Sequence, residues 1–270
     1  KISFTDLMKN KINRILLILC GSTMFAAVGR GERPNIIMFL IDDQNPSSIA
    51  AFGGDTYTPN LDRMAEEGMK FTRAYVSSSV CTPSRYSFLT GRFAGNSHSK
   101  LYNDAVGGKE NQGLPGFNVA LERDKMNVVN VLREAGYTTG FVGKFHLTSK
   151  SDFPEFYKGK NRWINISKDA RPGPEASAQF KHNERWMRRY LETLGFSWAK
   201  NVYPENSHKP YSEHNPEWTT MAALEFIEEN KDRPFFLYTA FNIPHYPEQA
   251  LKRHEKLYPC LLYTSPSPRD

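Results

Sequence analysis

Three short segments of the 270-residue chain carry side chains that can bind a cation, hold an anion or move a proton. Asp42 and Asp43 follow an apolar run, and their carboxylate oxygens suit a hard divalent cation such as calcium. Lys144 and His146 are two residues apart, which places an ammonium and an imidazole on one side of an extended segment. His245 lies between two prolines that stiffen its loop. Each segment also has a structural interpretation: a helix-capping aspartate, a solvated lysine beside a packed histidine, and a histidine that only supports its loop.

Cys81 lies in the stretch SSSVCTPSRYSFLTGR, two residues before Pro83 and four before Arg85. A buried structural cysteine requires neither of these neighbours. The other two cysteines fall in terminal segments, Cys20 in an apolar N-terminal run and Cys260 in a tail that departs from the preceding pattern. A chain with one thiol in its main body has no disulfide framework, so Cys81 is a candidate reactive residue. A structural thiol is the alternative.

Periodicity predicts the elements that must position these side chains. The apolar run over 35–43 predicts a fully buried parallel strand, and the alternation over 69–76 predicts a short strand. Helices are predicted over 58–68 and over 83–90, the second with a proline in its first turn. Residues 124–147 and 216–245 each indicate a helix followed by a strand, whereas 150–215 indicate a long loop with one short helix over 183–194.

Alternating strands and helices predict an α/β fold, with a mainly parallel central sheet flanked by helices. The polar residues recur at the carboxyl ends of the predicted strands. In open α/β sheets, binding sites form outside these carboxyl ends. We therefore expect groups that are far apart in the sequence to meet at one edge of the sheet.

Composition and the N-terminus restrict the possible classes of protein. With 39% hydrophobic and 24% charged residues the chain is globular, and a dispersed net charge of +6 permits an anionic ligand without indicating nucleic acid. Lys9, Lys11 and Arg14 precede a short apolar run and a small-residue cleavage site, as in a secretory signal peptide. We expect a secreted or periplasmic protein without stable membrane insertion. The expected domains are upstream residues and signal peptide over 1–31, a catalytic portion over 32–258 and a non-native tail over 259–270.

The segment CTPSRYSFLTGR resembles the signature of the type I sulfatases, in which a cysteine in the pattern Cys-x-Pro-Ser-Arg is oxidised to formylglycine. The segments NIIMFLIDD, TPNLDRMAEEGMKFTRAY, GKFH and FNIPHYP resemble further blocks of that family in the same order. The resemblance covers about residues 34–258 and corresponds to the N-terminal portion of such an enzyme, with an alkaline-phosphatase-like fold.

The resemblance implies a sulfuric ester hydrolase with a calcium ion held by Asp42, Asp43 and the modified Cys81. One hydroxyl of the hydrated aldehyde attacks sulfur, and the other then loses its proton to release sulfate. By the same resemblance Arg85 holds the hydrate and the carboxylates that bind the metal. Further roles are implied for three residues: Lys144 binds a sulfate oxygen, His146 assists proton removal, and His245 contacts the sulfate or protonates the leaving oxygen. The implied partners are a sulfated small molecule or glycan and a formylglycine-generating maturation enzyme.

The chain also departs from the family pattern. A further Asp-Asn pair and a second sulfate-binding lysine have no counterpart after His245, so the implied metal shell is incomplete and this stretch alone is not expected to be active. The alternatives are a formylglycine-dependent phosphonate or phosphate ester hydrolase and a non-catalytic sugar-binding relative. Substrate specificity would come from the loops over 96–120 and 150–215. Four tryptophans could stack on a sugar or pack internally: Trp163, Trp186, Trp198 and Trp218.

Overall fold

The computed structural model describes residues 33–106, 114–160, 162–166, 171, 173–205 and 215–245. Four parallel strands form its sheet: β1 (Ile36–Asp42), β2 (Thr138–Lys144), β3 (Trp198–Tyr203) and β4 (Phe235–Pro244). Their order across the sheet is β1-β4-β2-β3. All four carboxyl ends therefore lie at the same edge. The predicted α/β fold with a mainly parallel sheet is confirmed.

Helices precede or connect the strands. They are α1 (Pro59–Glu67), α2 (Cys81–Thr90), α3 (Lys100–Val106), α4 (Val128–Glu134), α5 (Pro174–Thr193) and α6 (Asn215–Asn230). Short 3-10 turns occur at Pro46–Ser48, Ala50–Phe52, Ala94–Asn96 and Pro154–Tyr157. None of the helices in these described stretches is long and apolar enough to cross a membrane.

Two apolar clusters cover the two faces of the sheet. On one face, α2 and α5 pack over an aromatic core that includes Phe141, Trp186, Tyr190 and Tyr238. On the other face, α6 packs through Phe226 and its neighbours onto β2 and β4. Burial of these apolar side chains, many of them aromatic, holds helices against both faces of the sheet. The loops at the carboxyl edge extend from this packed framework.

The prediction for 69–76 was wrong, because these residues form a turn and coil. The sequence alternates, but strand structure requires a neighbouring strand to supply hydrogen bonds, and no strand pairs with this segment in the described part of the chain. Four of its apolar side chains are instead between 67% and 90% exposed: Met69, Phe71, Tyr75 and Val76.

The prediction of one short helix in a loop over 150–215 was also wrong. Helix α5 runs for 20 residues from Pro174, and strand β3 follows it. The buried stripe of α5 contains the polar Asn183 and the large aromatic residues Trp186 and Tyr190, and the helix also carries many charged residues. Together these features obscured the 3.6-residue period in the sequence. In β3, Lys200 and Asn201 interrupt the apolar pattern.

Strand β1 differs from its expected complete burial. Ile37 and Phe39 are 41% and 53% exposed, whereas the intervening Ile36, Met38 and Leu40 pack against the main core. In the described sheet β1 pairs only with β4. The predicted signal peptide and the predicted tail, with Cys20 and Cys260, lie outside the described residues.

Candidate active site

Asp42 is the last residue of β1 and forms the acidic end of the site. Its pairing with β4 shifts in register between Ile41 and Asp42, so that Asp42 lies opposite Pro244. The Asp42 side chain is 5% exposed and lies between two cations, Lys144 and Arg85. A buried carboxylate requires such partners, since an unpaired charge away from water is strongly unfavourable.

Cys81 begins helix α2, two residues earlier than the sequence indicates. Val80 precedes it as the N-cap without a side-chain hydrogen bond, and Pro83 falls in the first turn, where its missing N–H leaves no bond unmade. Gly91 ends the helix in the left-handed region at φ 67°. The half-buried Cys81 thiol is therefore held at the positive end of a ten-residue helix, which favours an anion at that position.

Arg85 lies one turn after Cys81 on α2 and reaches the ends of two strands. Its Nη1 donates to the backbone carbonyl of Lys144 at 2.6 Å, and its Nη2 is 3.5 Å from Asp42 Oδ2. The side chain is 3% exposed, and its Nε and Nη2 atoms make no hydrogen bond to the described residues. The guanidinium is thus fixed and retains donor capacity at the edge where the other site residues meet.

Lys144 ends β2 and is fully buried. Its ammonium donates to Asp42 Oδ2 at 2.5 Å and is 3.9 Å from Cys81 Sγ. The preceding Gly143 has φ 92°, and a Cβ there would lie 2.0 Å from the carbonyl oxygen of Ala240. Only glycine allows this close approach of β2 to β4, which positions the lysine at the strand end.

His146 reaches Cys81 by a turn rather than by continuing an extended segment. Its backbone is left-handed at φ 57°, and its N–H donates to the Pro204 carbonyl at 2.8 Å. Its Nδ1 is 3.2 Å from Cys81 Sγ. Burial, followed by the charges of Lys144 and Arg85, lowers the pKa of His146 to about 3. The imidazole is therefore neutral near neutral pH and has a nitrogen available to accept a proton.

His245 follows β4 and joins the acidic side of this cluster. Its N–H donates to the Asp42 carbonyl at 3.1 Å, and its Nε2 lies 3.7 Å from Asp43 Oδ2. The two side chains are partly exposed, at 21% and 35%. The structure therefore brings Asp42, Cys81, Arg85, Lys144 and His146 together directly, with Asp43 and His245 beside them; the catalytic role of each stays a prediction.

Comparison with known proteins identifies the family. The sulfatase family profile matches residues 34–260. This chain belongs to the sulfatase family. It is 32% identical over 256 residues to N-acetylgalactosamine-6-sulfatase of Canis lupus familiaris. The aligned region covers 88% of this chain and 44% of that protein.

Two solved structures place the sulfatase chain in the same fold. Ps i-CgsB in complex with k-i-k-neocarrahexaose has 25% identity and a TM-score of 0.53, covering 85% of this chain and 49% of that one. The yidJ protein of Bacteroides fragilis has 23% identity and a TM-score of 0.58, covering 87% of this chain and 49% of that one. The chain spans about half the length of these relatives. The resemblance to the family and its fold is confirmed.

The predicted calcium ligands of this sulfatase chain are only partly consistent with a metal site. Asp42 and Asp43 provide carboxylates of the correct chemistry at one strand end. Oδ2 of Asp42, however, already accepts from Lys144 and faces Arg85. Across the residues that the structure describes, no three His, Cys, Asp or Glu side chains are grouped so that they could hold a metal ion. The described residues thus supply part of a ligand set and do not form a complete shell.

Glu122 is a supporting residue that sequence reasoning missed. It is 4% exposed and accepts hydrogen bonds from Tyr86 at 2.8 Å, Arg92 at 2.8 Å and the His98 N–H at 2.7 Å. Tyr86 and Arg92 belong to α2 and the turn after it, so Glu122 fixes the helix that carries Cys81. No local motif marks such a residue, since its partners lie 24 to 36 positions away in the sequence.

Proposed function

We propose that the protein containing this chain hydrolyses sulfate esters of carbohydrates, with Cys81 converted to formylglycine. The observation that supports this most strongly is the environment of Cys81: a helix N-terminus, a neutral imidazole at 3.2 Å and an ammonium at 3.9 Å. The names of two relatives support the substrate class, since one is named an N-acetylgalactosamine-6-sulfatase and another was solved in complex with k-i-k-neocarrahexaose.

The cationic groups fit the negative charge of a sulfate ester. In the proposed complex Lys144 binds a sulfate oxygen, and Arg85 uses its remaining donors to hold the hydroxyls that replace the thiol. Fixed donors in a buried setting stabilise charge that develops during the reaction, because they need no reorganisation. His146 removes a proton from the hydrate, for which its neutral form is required, and His245 contacts the sulfate or protonates the departing alcohol oxygen.

The aldehyde hydrate supplies two hydroxyls on one carbon, one for attack on sulfur and one for the release of sulfate. The proposal also includes a calcium ion held by Asp42 and Asp43 together with the modified Cys81. A bound cation of this type would polarise the sulfate and lower the pKa of the hydrate. We further propose that a maturation enzyme oxidises Cys81 and that the protein is exported to a secreted or periplasmic location.

The test begins with the modification of Cys81. When the full-length protein is produced with a formylglycine-generating enzyme, mass spectrometry should find the Cys81 peptide lighter by about 18 Da, as CH₂SH becomes CHO. The modified protein should then release sulfate from a sulfated monosaccharide over many turnovers. Cys81→Ala should abolish this release without loss of the fold, because alanine removes only the nucleophile.

Cys81→Ser separates the aldehyde mechanism from ordinary nucleophilic catalysis. A serine can attack once but lacks the second hydroxyl, so the variant should stall as a sulfated protein that mass spectrometry detects. Repeated turnover by the serine variant, or full activity of the unmodified thiol, would contradict the mechanism. A phosphonate monoester assayed in parallel tests the alternative substrate class, since faster hydrolysis of the phosphonate would reassign the activity.

A further inference from the structure

Phe117 is an exposed aromatic side chain next to the reactive end of the site. Its ring centroid is 5.5 Å from that of His146, and the two planes differ by 31°. His146 in turn presents Nδ1 to Cys81 Sγ at 3.2 Å. One imidazole therefore separates the Phe117 ring from the sulfur atom that is proposed to carry the reaction.

Exposure alone does not identify a function for Phe117. Its side chain is 70% exposed, and so is that of Phe93 in the turn after α2. Single exposed apolar residues are normal on protein surfaces. The feature that distinguishes Phe117 is its contact with an imidazole whose other neighbour is Cys81.

The loop that carries Phe117 is fixed on the side nearest the core. Val119, Ala120 and Leu121 are at most 1% exposed, and the Leu121 N–H donates to the Leu147 carbonyl at 3.3 Å. Leu147 directly follows His146. The Phe117 loop and the segment that carries His146 are thus tied together, which keeps the backbone of this loop beside the imidazole that the Phe117 ring contacts.

The surroundings of Cys81 combine charged side chains with an apolar aromatic surface. Arg85 and Lys144 are suited to the anionic end of a ligand, whereas Phe117 offers a flat ring with a negative face to weakly positive C–H groups. Binding sites commonly combine aromatic walls with a few placed polar groups. A sugar ring that carries a sulfate ester has both features, since its axial C–H groups form an apolar face.

We propose that Phe117 is a specificity-determining residue that contacts the apolar C–H face of the sugar ring bearing the sulfate ester. This inference rests on the proposed sulfatase function. It assigns Phe117 to the side of that same site where the leaving group, the sugar, would lie. Phe117 would then act on the recognition of the ring and not on the sulfur chemistry.

The kinetic test compares two leaving groups in the formylglycine form of the full-length protein. With N-acetylgalactosamine 6-sulfate, Phe117→Ala should lower kcat/KM about threefold to tenfold, the usual effect of one aromatic contact. With a short alkyl sulfate, which has no ring, the same variant should stay within about twofold of wild type. Phe117→Tyr should retain the activity on the sugar, and Phe93→Ala, the matched control, should affect neither substrate.

A binding test keeps the inference separate from the proposed function. Cys81→Ala protein is mixed with the same sulfated sugar, and saturation-transfer NMR reports which sugar protons contact the protein. We expect the C–H protons of one ring face to respond, and this response to be lost in Phe117→Ala but kept in Phe93→Ala. Inactivity of modified wild type with this binding pattern intact would overturn the sulfatase function alone. An equal loss on both substrates, no loss on the sugar, or a binding pattern unchanged by Phe117→Ala would overturn the inference.

Discussion

Strands β2 and β1 each deliver a site residue at the carboxyl edge of the sheet, but their surroundings differ. In β2 all residues after Thr138 are buried, and the strand lies between β4 and β3. In β1 the side chains alternate between partly buried and exposed, and the described part of the chain pairs it with β4 alone. Lys144 is therefore positioned by packing on two sides, whereas Asp42 depends on the charged groups that surround it.

The contacts of the strand ends agree with this difference. Lys144 is held by the steric fit of Gly143 against Ala240 and by the hydrogen bond that its carbonyl accepts from Arg85. Asp42 is held by Lys144, by Arg85 and by the His245 N–H at its carbonyl. Packing holds Lys144 in place, and the Lys144 ammonium in turn holds the Asp42 carboxylate. Substitutions that remove packing should therefore have large effects in β2 and small effects in β1.

The largest expected effect comes from truncating one phenylalanine in each of the two strands. Phe141 in β2 is fully buried among Phe145, Phe196 and Tyr238, so Phe141→Ala should reduce the free energy of unfolding by about 3–5 kcal/mol. Phe39 in β1 is 53% exposed and stacks on Phe241, so Phe39→Ala should cost about 1 kcal/mol.

Urea unfolding with unchanged slopes would measure both differences from the shift in midpoint. Equal losses in the two variants would show that β1 is as well packed as β2 in solution, and the comparison between the strands would fail. A change in slope for Phe141→Ala alone would instead show that the compactness of the denatured or native state has changed or that unfolding is no longer two-state, and its free energy would then need a separate probe.

A somewhat smaller effect is expected at Gly143. Gly143→Ala places a Cβ against the Ala240 carbonyl at a positive φ, so conformational strain and overpacking together should cost about 3 kcal/mol. Gly159 is the matched control, because it also has positive φ, at 72°, but nothing lies within 4 Å of its added Cβ. Gly159→Ala should cost only about 1–2 kcal/mol, as measured by the same urea midpoints. A larger loss at Gly159 than at Gly143 would mean that the close approach of β2 and β4 is not a constraint.

The fold was predictable where the sequence has continuous apolar runs or clear helix-stop residues. Strands β1, β2 and β4 and helices α1 and α6 follow directly from such runs, and Gly68 and Gly136 mark the ends of α1 and α4 as expected. Helix α5 and strand β3 were not predictable, because their stability comes from tertiary contacts. Phe153 and Phe145, which lie outside α5, pack on Tyr190 in the core, and Lys200 in β3 pairs with Glu225 of α6.

The site divides in the same way. Cys81, Arg85, Lys144 and His146 stand in short motifs, so the sequence could identify them before their positions were known. Glu122 has no motif, and Phe117 became a candidate only through its contact with His146. The sequence also could not predict that His146 would turn back toward Cys81, since a left-handed conformation is uncommon for a residue with a side chain.

The smallest expected effect tests the acidic end of β1 by changing two adjacent carboxylates separately. Asp42→Asn leaves the buried ammonium of Lys144 with a neutral acceptor, so it should lower the free energy of unfolding by about 2–3 kcal/mol. Asp43 is 35% exposed and its pair with His245 is partly solvated, so Asp43→Asn should stay within about 0.5 kcal/mol of wild type. Urea midpoints at neutral pH without added calcium measure both variants in the same state. If Asp43→Asn were the more damaging change, Asp43 would be the anchor of this strand end, and the proposed order in which Lys144 fixes Asp42 would have to be abandoned.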